Sequence, residues 1–168
     1  DFVDVYPSRP DVKKCDIEEE ELPYGPNTFD EVVANFVFEH LKNPNLLLKK
    51  IFRVLKKGGT VTIKTDNAGC WAYHFPVRFL YSQQHYENSV REGPSDRHYG
   101  LYTTLHLSNA LSAAGFHDVK TDYSWFENKT TTTTNKALFS VLTATSRLMS
   151  IILPKKITYP HIKATAIK

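Results

Sequence analysis

The chain alternates short apolar runs with segments in which apolar residues recur every three or four positions. The short runs are rich in β-branched and aromatic residues and predict strands, whereas the longer period predicts amphipathic helices. Strands alternating with helices are typical of an α/β sheet with helices on both faces. The last two strands have no obvious crossover of the earlier type, and one of them is a candidate for antiparallel pairing. The predicted strands are 2–6, 12–15, 29–38, 60–64, 119–125 and 157–167, and the predicted helices are 43–57, 105–114 and 138–152.

Local signals indicate where some of these elements begin and end. Asn43 is predicted to cap the first helix, Pro44 suits its first turn, and Gly58 with Gly59 is predicted to end it. Pro160 lacks a backbone N–H, so within the last strand it indicates an edge position or a bulge.

Composition indicates one ordinary globular domain. The 168 residues are 41% hydrophobic and 23% charged, with a net charge of +3. Residues 1–30 hold nine acidic and three basic residues, a net of −6, so the remaining 138 residues carry +9. A basic remainder is compatible with an anionic substrate such as nucleic acid. No five-residue window is dominated by Lys and Arg, which favours a lysine-rich surface and leaves nucleic acid unindicated.

Several other classes are disfavoured by sequence. Cys15 and Cys70 form no CxxC pair, which predicts no disulfide framework and suits a reducing, cytoplasmic location. The longest apolar stretch, residues 137–153, is shorter than the roughly 20 residues of a bilayer crossing, so no membrane association is predicted. The histidines include no HxxH or HExxH pair, so no metal is predicted either.

Polar residues at the ends of the predicted strands are candidates for binding. In an open α/β sheet, ligands bind outside the carboxyl ends of the strands. A carboxylate there is able to accept hydrogen bonds from a ribose diol or an adenine amino group, which would suit Asp4 and Asp16. Taken singly, each is more often a cap or turn residue. The strand-end residues are Asp4, Asp16, Asn35, Asp66 and Asn67.

Over about residues 1–125, the order of these segments resembles the class I S-adenosylmethionine-dependent methyltransferases. The resemblance lies in the combination of motifs, since no single motif is specific. The matching segments are Asp16-Ile17, Leu22-Pro23-Tyr24, Asn27 to Ala34, Val37-Phe38-Glu39-His40-Leu41, Arg53 to Gly59 and Ala114-Gly115-Phe116.

This resemblance implies a Rossmann-like, doubly wound, mostly parallel sheet with an antiparallel last strand. It implies S-adenosylmethionine as cofactor, with S-adenosylhomocysteine as product and no metal. Asp4 would bind the ribose hydroxyls, and Asp16 with the Ile17 backbone would read the adenine edge. Asn35 and Phe36 would line the methionine arm of the cofactor.

The sequence departs from the family before Asp4. The family's first strand is central and leads into a glycine-rich loop, which Asp1, Phe2 and Val3 cannot supply. We therefore expect residues 1–168 to be a single methyltransferase-like domain that is N-terminally incomplete. The alternative is a short protein that has lost cofactor binding. Within the domain, residues 68–102 are predicted to be an acceptor-side insertion and residues 127–136 a flexible loop.

The insertion is rich in aromatic residues and histidine, which suits an acceptor pocket. His98 is the predicted general base, and Asp66, Trp71 and Tyr99 are the predicted acceptor-binding residues. For most of the aromatic residues, a small satellite core is an equally good interpretation.

The leading hypothesis is methyl transfer to an unidentified small-molecule or macromolecular acceptor. The alternative is a catalytically silent methyltransferase-like subunit that recruits or stabilises a partner. A Rossmann-like dehydrogenase is disfavoured, because no Tyr-x-x-x-Lys pair is suitably placed. Homo-oligomer formation remains open, since the last predicted helix could present an apolar face to a second copy.

Overall fold

A computed structural model describes residues 1–4, 9–71, 99–125 and 136–168. Six strands and four α-helices follow one another along these segments, with a short 3-10 helix after the third strand. The strands are β1 (Phe2–Asp4), β2 (Val12–Lys14), β3 (Phe29–Asn35), β4 (Leu55–Asp66), β5 (His117–Ser124) and β6 (His161–Ile167). The helices are α1 (Pro44–Val54), α2 (Thr104–Ala113), α3 (Lys136–Met149) and α4 (Lys155–Thr158), and the 3-10 helix is Phe38–His40.

The described strands form two sheets. β1 and β2 pair in parallel, and a separate four-stranded sheet has the order β3-β4-β6-β5. β3 is parallel to β4, whereas β6 is antiparallel to both β4 and β5. β3, β4 and β5 therefore run in one direction and only β6 is reversed. This arrangement confirms the predicted Rossmann-like α/β class with an antiparallel last strand.

A cavity of about 340 Å³ separates the two sheets. Residues of β1 line one side and residues of β3 line the other, with α1 contributing to the wall. Within the described residues, β1 pairs only with β2 and β3 pairs only with β4. The edges of β1 and β3 that face the cavity are therefore unpaired within that part of the chain. The apolar lining includes Phe2, Val3, Val32, Ala34 and Ile51.

The core lies between α1, the 3-10 helix and the central strands. Apolar residues of α1 recur on one face and are buried, as their helical spacing predicts. Fully burying one large aliphatic side chain stabilises the fold by roughly 1.5–3 kcal/mol, so this cluster is the main source of stability. Its fully buried members include Phe38, Leu48, Ile51, Leu55, Ile63, Leu107, Leu111 and Ile162.

The first helix is shorter than predicted. It ends at Val54, and β4 begins at the next residue, so the two glycines lie inside a strand. A Cβ on Gly59 would approach the Lys56 carbonyl oxygen to 2.9 Å and the Asp30 carbonyl oxygen to 3.1 Å. The prediction that Gly58 and Gly59 end the helix is wrong, because at Gly59 the glycine permits close approach of backbones within the sheet.

The predicted capping role of Asn43 is also wrong. The Asn43 side chain makes no capping hydrogen bond. Instead, Oε1 of Glu18 accepts hydrogen bonds from the Lys42 N–H at 2.7 Å and the Asn43 N–H at 3.3 Å. A carboxylate at a helix N-terminus satisfies otherwise unpaired donors and interacts favourably with the helix dipole. The loop after β2 thus fixes the start of α1.

Two further element boundaries differ from prediction. β3 ends at Asn35 because Phe36 has φ of 53°, which is incompatible with a continuing strand. Residues predicted to begin the last strand form α4 instead, and Pro160 lies just before β6. β6 is an interior strand, so the prediction of an edge position or bulge at Pro160 is wrong.

Two predicted segments lie largely or wholly outside the described residues. Residues 72–98 of the predicted insertion and residues 127–135 of the predicted loop are not described, and Lys136 is already the first residue of α3. Among the helices that are described, none is long and apolar enough to cross a membrane.

Candidate functional site

The carboxyl ends of β3 and β4 and the start of β6 lie at one edge of the four-stranded sheet. Asp66 ends β4, and His161 begins β6 directly opposite it in the antiparallel register. Because β6 is reversed, its first residue reaches the edge where the parallel strands finish. His161 was not predicted from the sequence. The signal that could have pointed to it was the predicted antiparallel pairing of a late strand.

Asp66 and His161 form a close and largely buried pair. Oδ1 of Asp66 lies 3.7 Å from Nε2 of His161, and the two residues are 8% and 6% exposed. The ring of Phe36 packs edge-on against the imidazole with centroids 4.7 Å apart. Phe36 directly follows β3, and it has a positive φ in the conformation that packs its ring against His161. The structure thus brings together two predicted residues, Phe36 and Asp66, with His161.

Glu39 adds a buried carboxyl group to this edge. It is 1% exposed, and Oε2 accepts a 2.6 Å hydrogen bond from the Thr65 hydroxyl. Burial, and then the charge of Asp66, raise the pKa of Glu39 to about 7, although the hydrogen bond from Thr65 opposes the shift. No chemical role was predicted for Glu39. Its position directly after the predicted apolar strand 29–38 was the available signal.

The two ends of the predicted insertion meet at this site. Asn67 and Tyr102 form a parallel bridge, and the Ala68 N–H donates to the Tyr102 carbonyl oxygen at 2.8 Å. The Tyr102 hydroxyl donates to the Phe38 carbonyl oxygen at 3.3 Å. Burial, and then the charge of Glu39, raise the pKa of Tyr102. The insertion is therefore anchored at both ends to the carboxyl edge of the sheet.

Of the predicted acceptor-binding residues, Tyr99 also reaches this site. Its N–H donates to the Glu39 carbonyl oxygen at 2.6 Å, while its side chain is 43% exposed. Trp71 is held differently, since its Nε1 donates to the Ser146 hydroxyl of α3 at 2.7 Å. His98, the predicted general base, lies outside the described residues.

On the other side of the cavity, the predicted cofactor residues follow β1 and β2. Asp4 is exposed at the end of β1, and its carbonyl oxygen accepts from the Cys15 N–H at 2.9 Å. Oδ1 of Asp16 accepts from the Glu18 N–H at 3.0 Å and the Glu19 N–H at 3.4 Å. Asp16 therefore stabilises the turn that follows β2. A turn role is the more common one for a single carboxylate at a strand end.

Lys50 of α1 fixes this turn from the other side. Its Nζ donates to the carbonyl oxygens of Ile17 at 3.0 Å, Glu18 at 3.2 Å and Glu20 at 2.7 Å. The lysine is only 9% exposed, so all three of its donors are used in a largely buried position. Ile17 also lines the cavity. The turn after β2 is consequently held in place beside the cavity.

The predicted cofactor residues thus fall into two groups, one on each sheet. Asp4, Asp16 and Ile17 belong to the β1–β2 side, and exposed Asn35 and half-buried Phe36 follow β3. Among the described residues, no cluster of three or more His, Cys, Asp or Glu side chains is placed to hold a metal ion.

Comparison with solved structures shows the same fold in methyltransferases. A SAM-dependent methyltransferase from Archaeoglobus fulgidus matches with a TM-score of 0.57 and 18% identity, over 94% of this chain and 67% of that one. Phosphoethanolamine N-methyltransferase 2 from Haemonchus contortus, solved with S-adenosyl-L-methionine, matches with a TM-score of 0.58 and 21% identity, over 94% and 37%. The complex containing the Trm112 methyltransferase activator of Haloferax volcanii matches with a TM-score of 0.56 and 17% identity, over 97% and 64%.

Sequence comparison then identifies the family. Residues 2–121 match the profile of the methyltransferase domain, and the chain belongs to this family. A search of curated proteins gave no significant match. The chain spans between 37% and 67% of the length of the three solved relatives described above.

Proposed function

We propose that the chain is part of an S-adenosylmethionine-dependent methyltransferase whose acceptor is not identified. The family match over residues 2–121 carries this proposal. It is supported by the cluster of polar and aromatic residues at the carboxyl ends of β3 and β4, where an open α/β sheet binds its ligands. A structural relative solved with S-adenosyl-L-methionine adds further support.

The cofactor would lie across the carboxyl edges of both sheets. Asp4 is assigned to the ribose hydroxyls, and Asn35 with Phe36 to the methionine arm. Asp16 Oδ1 already stabilises the turn after β2, so Oδ2 is the atom assigned to the adenine amino group, next to the Ile17 backbone. The contacts of Lys50 with this turn would hold both residues in place before the cofactor binds.

The cavity between the sheets would be filled by a further β-strand. Its lining is apolar, and β1 and β3 face it with edges unpaired among the described residues. A strand placed there would satisfy both edges and join the two sheets into one. A glycine-rich loop following that strand would approach the methionine part of the cofactor, as the resemblance implies.

Methyl transfer itself would proceed in line. The acceptor's nucleophile attacks the methyl carbon while the bond from that carbon to sulfur breaks, leaving S-adenosylhomocysteine. The main contribution of the protein is to hold the two reactants at attack distance. If the nucleophile carries a proton, a base removes it. His98 is one candidate base, and His161, paired with Asp66, is a second that the described site supports.

Parallel substitutions of the two histidines distinguish these candidates. If His161 is the base, His161→Gln lowers kcat strongly while leaving S-adenosylhomocysteine affinity unchanged, and His98→Gln has little effect. The opposite pattern assigns the base to His98. Undiminished turnover in both variants would show that neither histidine is required.

The first experiment is calorimetric titration of S-adenosylhomocysteine into the full-length protein and its Asp16→Asn variant. The amide oxygen of asparagine still accepts the turn hydrogen bonds, whereas its NH₂ group cannot accept from adenine. Asp11→Asn is a matched control, because Asp11 is an exposed carboxylate that forms an ion pair with Arg9 at 3.1 Å.

We expect micromolar binding that weakens markedly in Asp16→Asn and is unchanged in Asp11→Asn. Equal binding by Asp16→Asn would overturn the adenine assignment while leaving the methyltransferase proposal intact. Failure of the folded full-length protein to bind would overturn the enzyme proposal and favour the silent partner subunit. A cytoplasmic location remains a prediction from sequence, homo-oligomer formation stays open, and a nucleic-acid acceptor is not indicated by the sequence.

A further inference from the structure

Helix α3 turns a polar side chain toward the protein and apolar side chains toward solvent. Ser146 is 5% exposed and accepts the hydrogen bond from Trp71, so a hydroxyl group faces the protein. Val141 and Leu148, seven residues apart and on one face, are 60% and 69% exposed. Aliphatic side chains on the outward face of a helix indicate an interaction surface when they form a continuous patch.

Exposed apolar residues continue beyond the helix into the turn before α4. Six consecutive residues, 151–156, are exposed in the order Ile-Ile-Leu-Pro-Lys-Lys. Ile151 and Ile152 are 78% and 86% exposed, which are the highest values among the exposed large apolar residues of the described chain. We call residues 148–156 the α3–α4 tip. It places apolar side chains at its centre and lysines immediately beside them.

The segment of residues 128–168, which contains the tip, carries side-chain charge of one sign only. The 41 residues from 128 to 168 contain seven Lys or Arg and no Asp or Glu. Arg147 is exposed and lies 5.8 Å above the ring of Trp125, one helical position before the tip. Lys155 lies 3.6 Å from the exposed carboxylate of Asp122, a pair that solvent screens. The basic residues of this segment are Lys129, Lys136, Arg147, Lys155, Lys156, Lys163 and Lys168.

We propose that the α3–α4 tip docks on an anionic lipid surface. Ile151, Ile152 and Leu148 insert among the acyl chains, and Lys155 with Lys156 contacts the phosphate headgroups. Burial of methylene groups among acyl chains and attraction of lysines to an anionic surface both favour binding, so a few of each suffice for reversible attachment. The contact is peripheral. It departs from the sequence prediction of no membrane association, which rested only on the lack of an apolar stretch long enough to cross a bilayer.

The composition of the tip favours lipid over a protein partner. Protein interfaces concentrate their binding energy in Trp, Tyr and Arg residues, and the tip itself contains none of these. A second copy of the chain would bring the same basic segment against this one, so like charges would oppose self-association. Anionic headgroups supply the opposite charge, and acyl chains accept aliphatic groups without requiring a shaped pocket.

The test is co-sedimentation of the full chain with vesicles of phosphatidylglycerol and phosphatidylcholine, compared with pure phosphatidylcholine. We expect binding to the anionic vesicles that weakens with added salt and is much weaker on the neutral ones. The double variant Ile151→Ser/Ile152→Ser should bind at least about tenfold more weakly, because several membrane-inserting methylene groups are removed. Leu105→Ser is the matched control, since Leu105 is 64% exposed on α2.

Four results would overturn the proposal. The first is no sedimentation of the folded protein with anionic vesicles. The second is equal binding by wild type and the double serine variant. The third is full competition by soluble glycerol phosphate, which would assign the contact to phosphate alone. The fourth is an oligomer in gel filtration that the serine substitutions dissociate, without any vesicle binding, which would make the tip an interface between copies. Circular dichroism checks that each variant remains folded.

Discussion

The Thr65 hydroxyl donates a 2.6 Å hydrogen bond to Oε2 of Glu39, a residue that is 1% exposed. The bond favours the ionised carboxylate, whereas burial and the neighbouring Asp66 favour the protonated acid. The second influence is the larger, because the pKa of Glu39 is raised to about 7. Glu39 therefore changes its charge near neutral pH, beside the proposed site of methyl transfer.

This shift predicts a dependence of stability on pH. Between the ordinary Glu pKa of 4.5 and the folded value of about 7, the folded protein binds more protons than the unfolded chain. The stabilisation is therefore fully present below pH 4.5 and is lost as the pH rises through 7. Glu39→Gln keeps an acceptor for Thr65 and removes the charge. We expect it to be more stable than wild type at pH 8 by up to about 3 kcal/mol.

Urea denaturation at pH 5 and pH 8 measures this effect. The variant should gain much more stability relative to wild type at pH 8 than at pH 5. Glu31→Gln serves as the control, because Glu31 is an exposed residue of β3. An equal change at both pH values would show that Glu39 does not titrate in this range.

The strands, the class of fold and the strand-end residues were predictable because they depend on local patterns. The short apolar runs gave the strands, and the ordered motifs from Asp16 to Gly59 gave the family. Partners distant in the chain were not predictable. Glu18 accepts a hydrogen bond at the start of α1, and His161 lies opposite Asp66. Each contact depends on how the chain packs rather than on the spacing of residues along the sequence.

The wrong boundaries have physical causes of the same kind. Gly58 and Gly59 resemble a helix stop, but packing of β4 beside β3 extends the strand back to Leu55. Pro160 resembles an edge signal within a strand, yet it lies just outside β6, where its carbonyl oxygen accepts from the Asn67 N–H at 2.8 Å. In both cases tertiary hydrogen bonding overrides the local propensity.

Removing the carboxylate of Glu18 should destabilise α1. Glu18→Ala deletes the acceptor for the N–H groups of Lys42 and Asn43 at 2.7 and 3.3 Å. Losing such a cap costs about 1 kcal/mol. Glu19→Ala is the matched control, since Glu19 is the exposed neighbour. Thermal unfolding followed by circular dichroism checks the difference, and equal melting temperatures for the two variants would contradict the capping role.

Gly69 is expected to tolerate no side chain. A Cβ at this position would lie 2.7 Å from the Lys156 carbonyl oxygen, a backbone atom that belongs to α4. Gly69→Ala should therefore push α4 away from the end of β4 and cost about 1–3 kcal/mol. At Gly25 the nearest atom is a side-chain oxygen of Thr28 at 3.6 Å, so Gly25→Ala should be nearly neutral. Denaturant midpoints compare the two, and a neutral Gly69→Ala would show that the backbones move apart freely.

Lys50 should matter more to the fold than its neighbour Lys49. The Lys50 ammonium group donates to three backbone carbonyl oxygens of the turn after β2, and the residue is 9% exposed. Lys50→Met preserves the aliphatic stem and deletes these donors, leaving the carbonyl groups to recruit water in a partly closed site. We expect a loss of about 2–3 kcal/mol in the free energy of unfolding.

The same change tests whether the turn is prepared for the cofactor. Lys49 is exposed on α1, so Lys49→Met removes one charge without touching the turn, and its stability should match wild type. If Lys50 holds Asp16 and Ile17 in position, Lys50→Met should also weaken S-adenosylhomocysteine binding at a temperature where it remains fully folded. Weakened stability with undiminished binding would restrict Lys50 to a structural role, because the turn would then reach its binding geometry without the three hydrogen bonds.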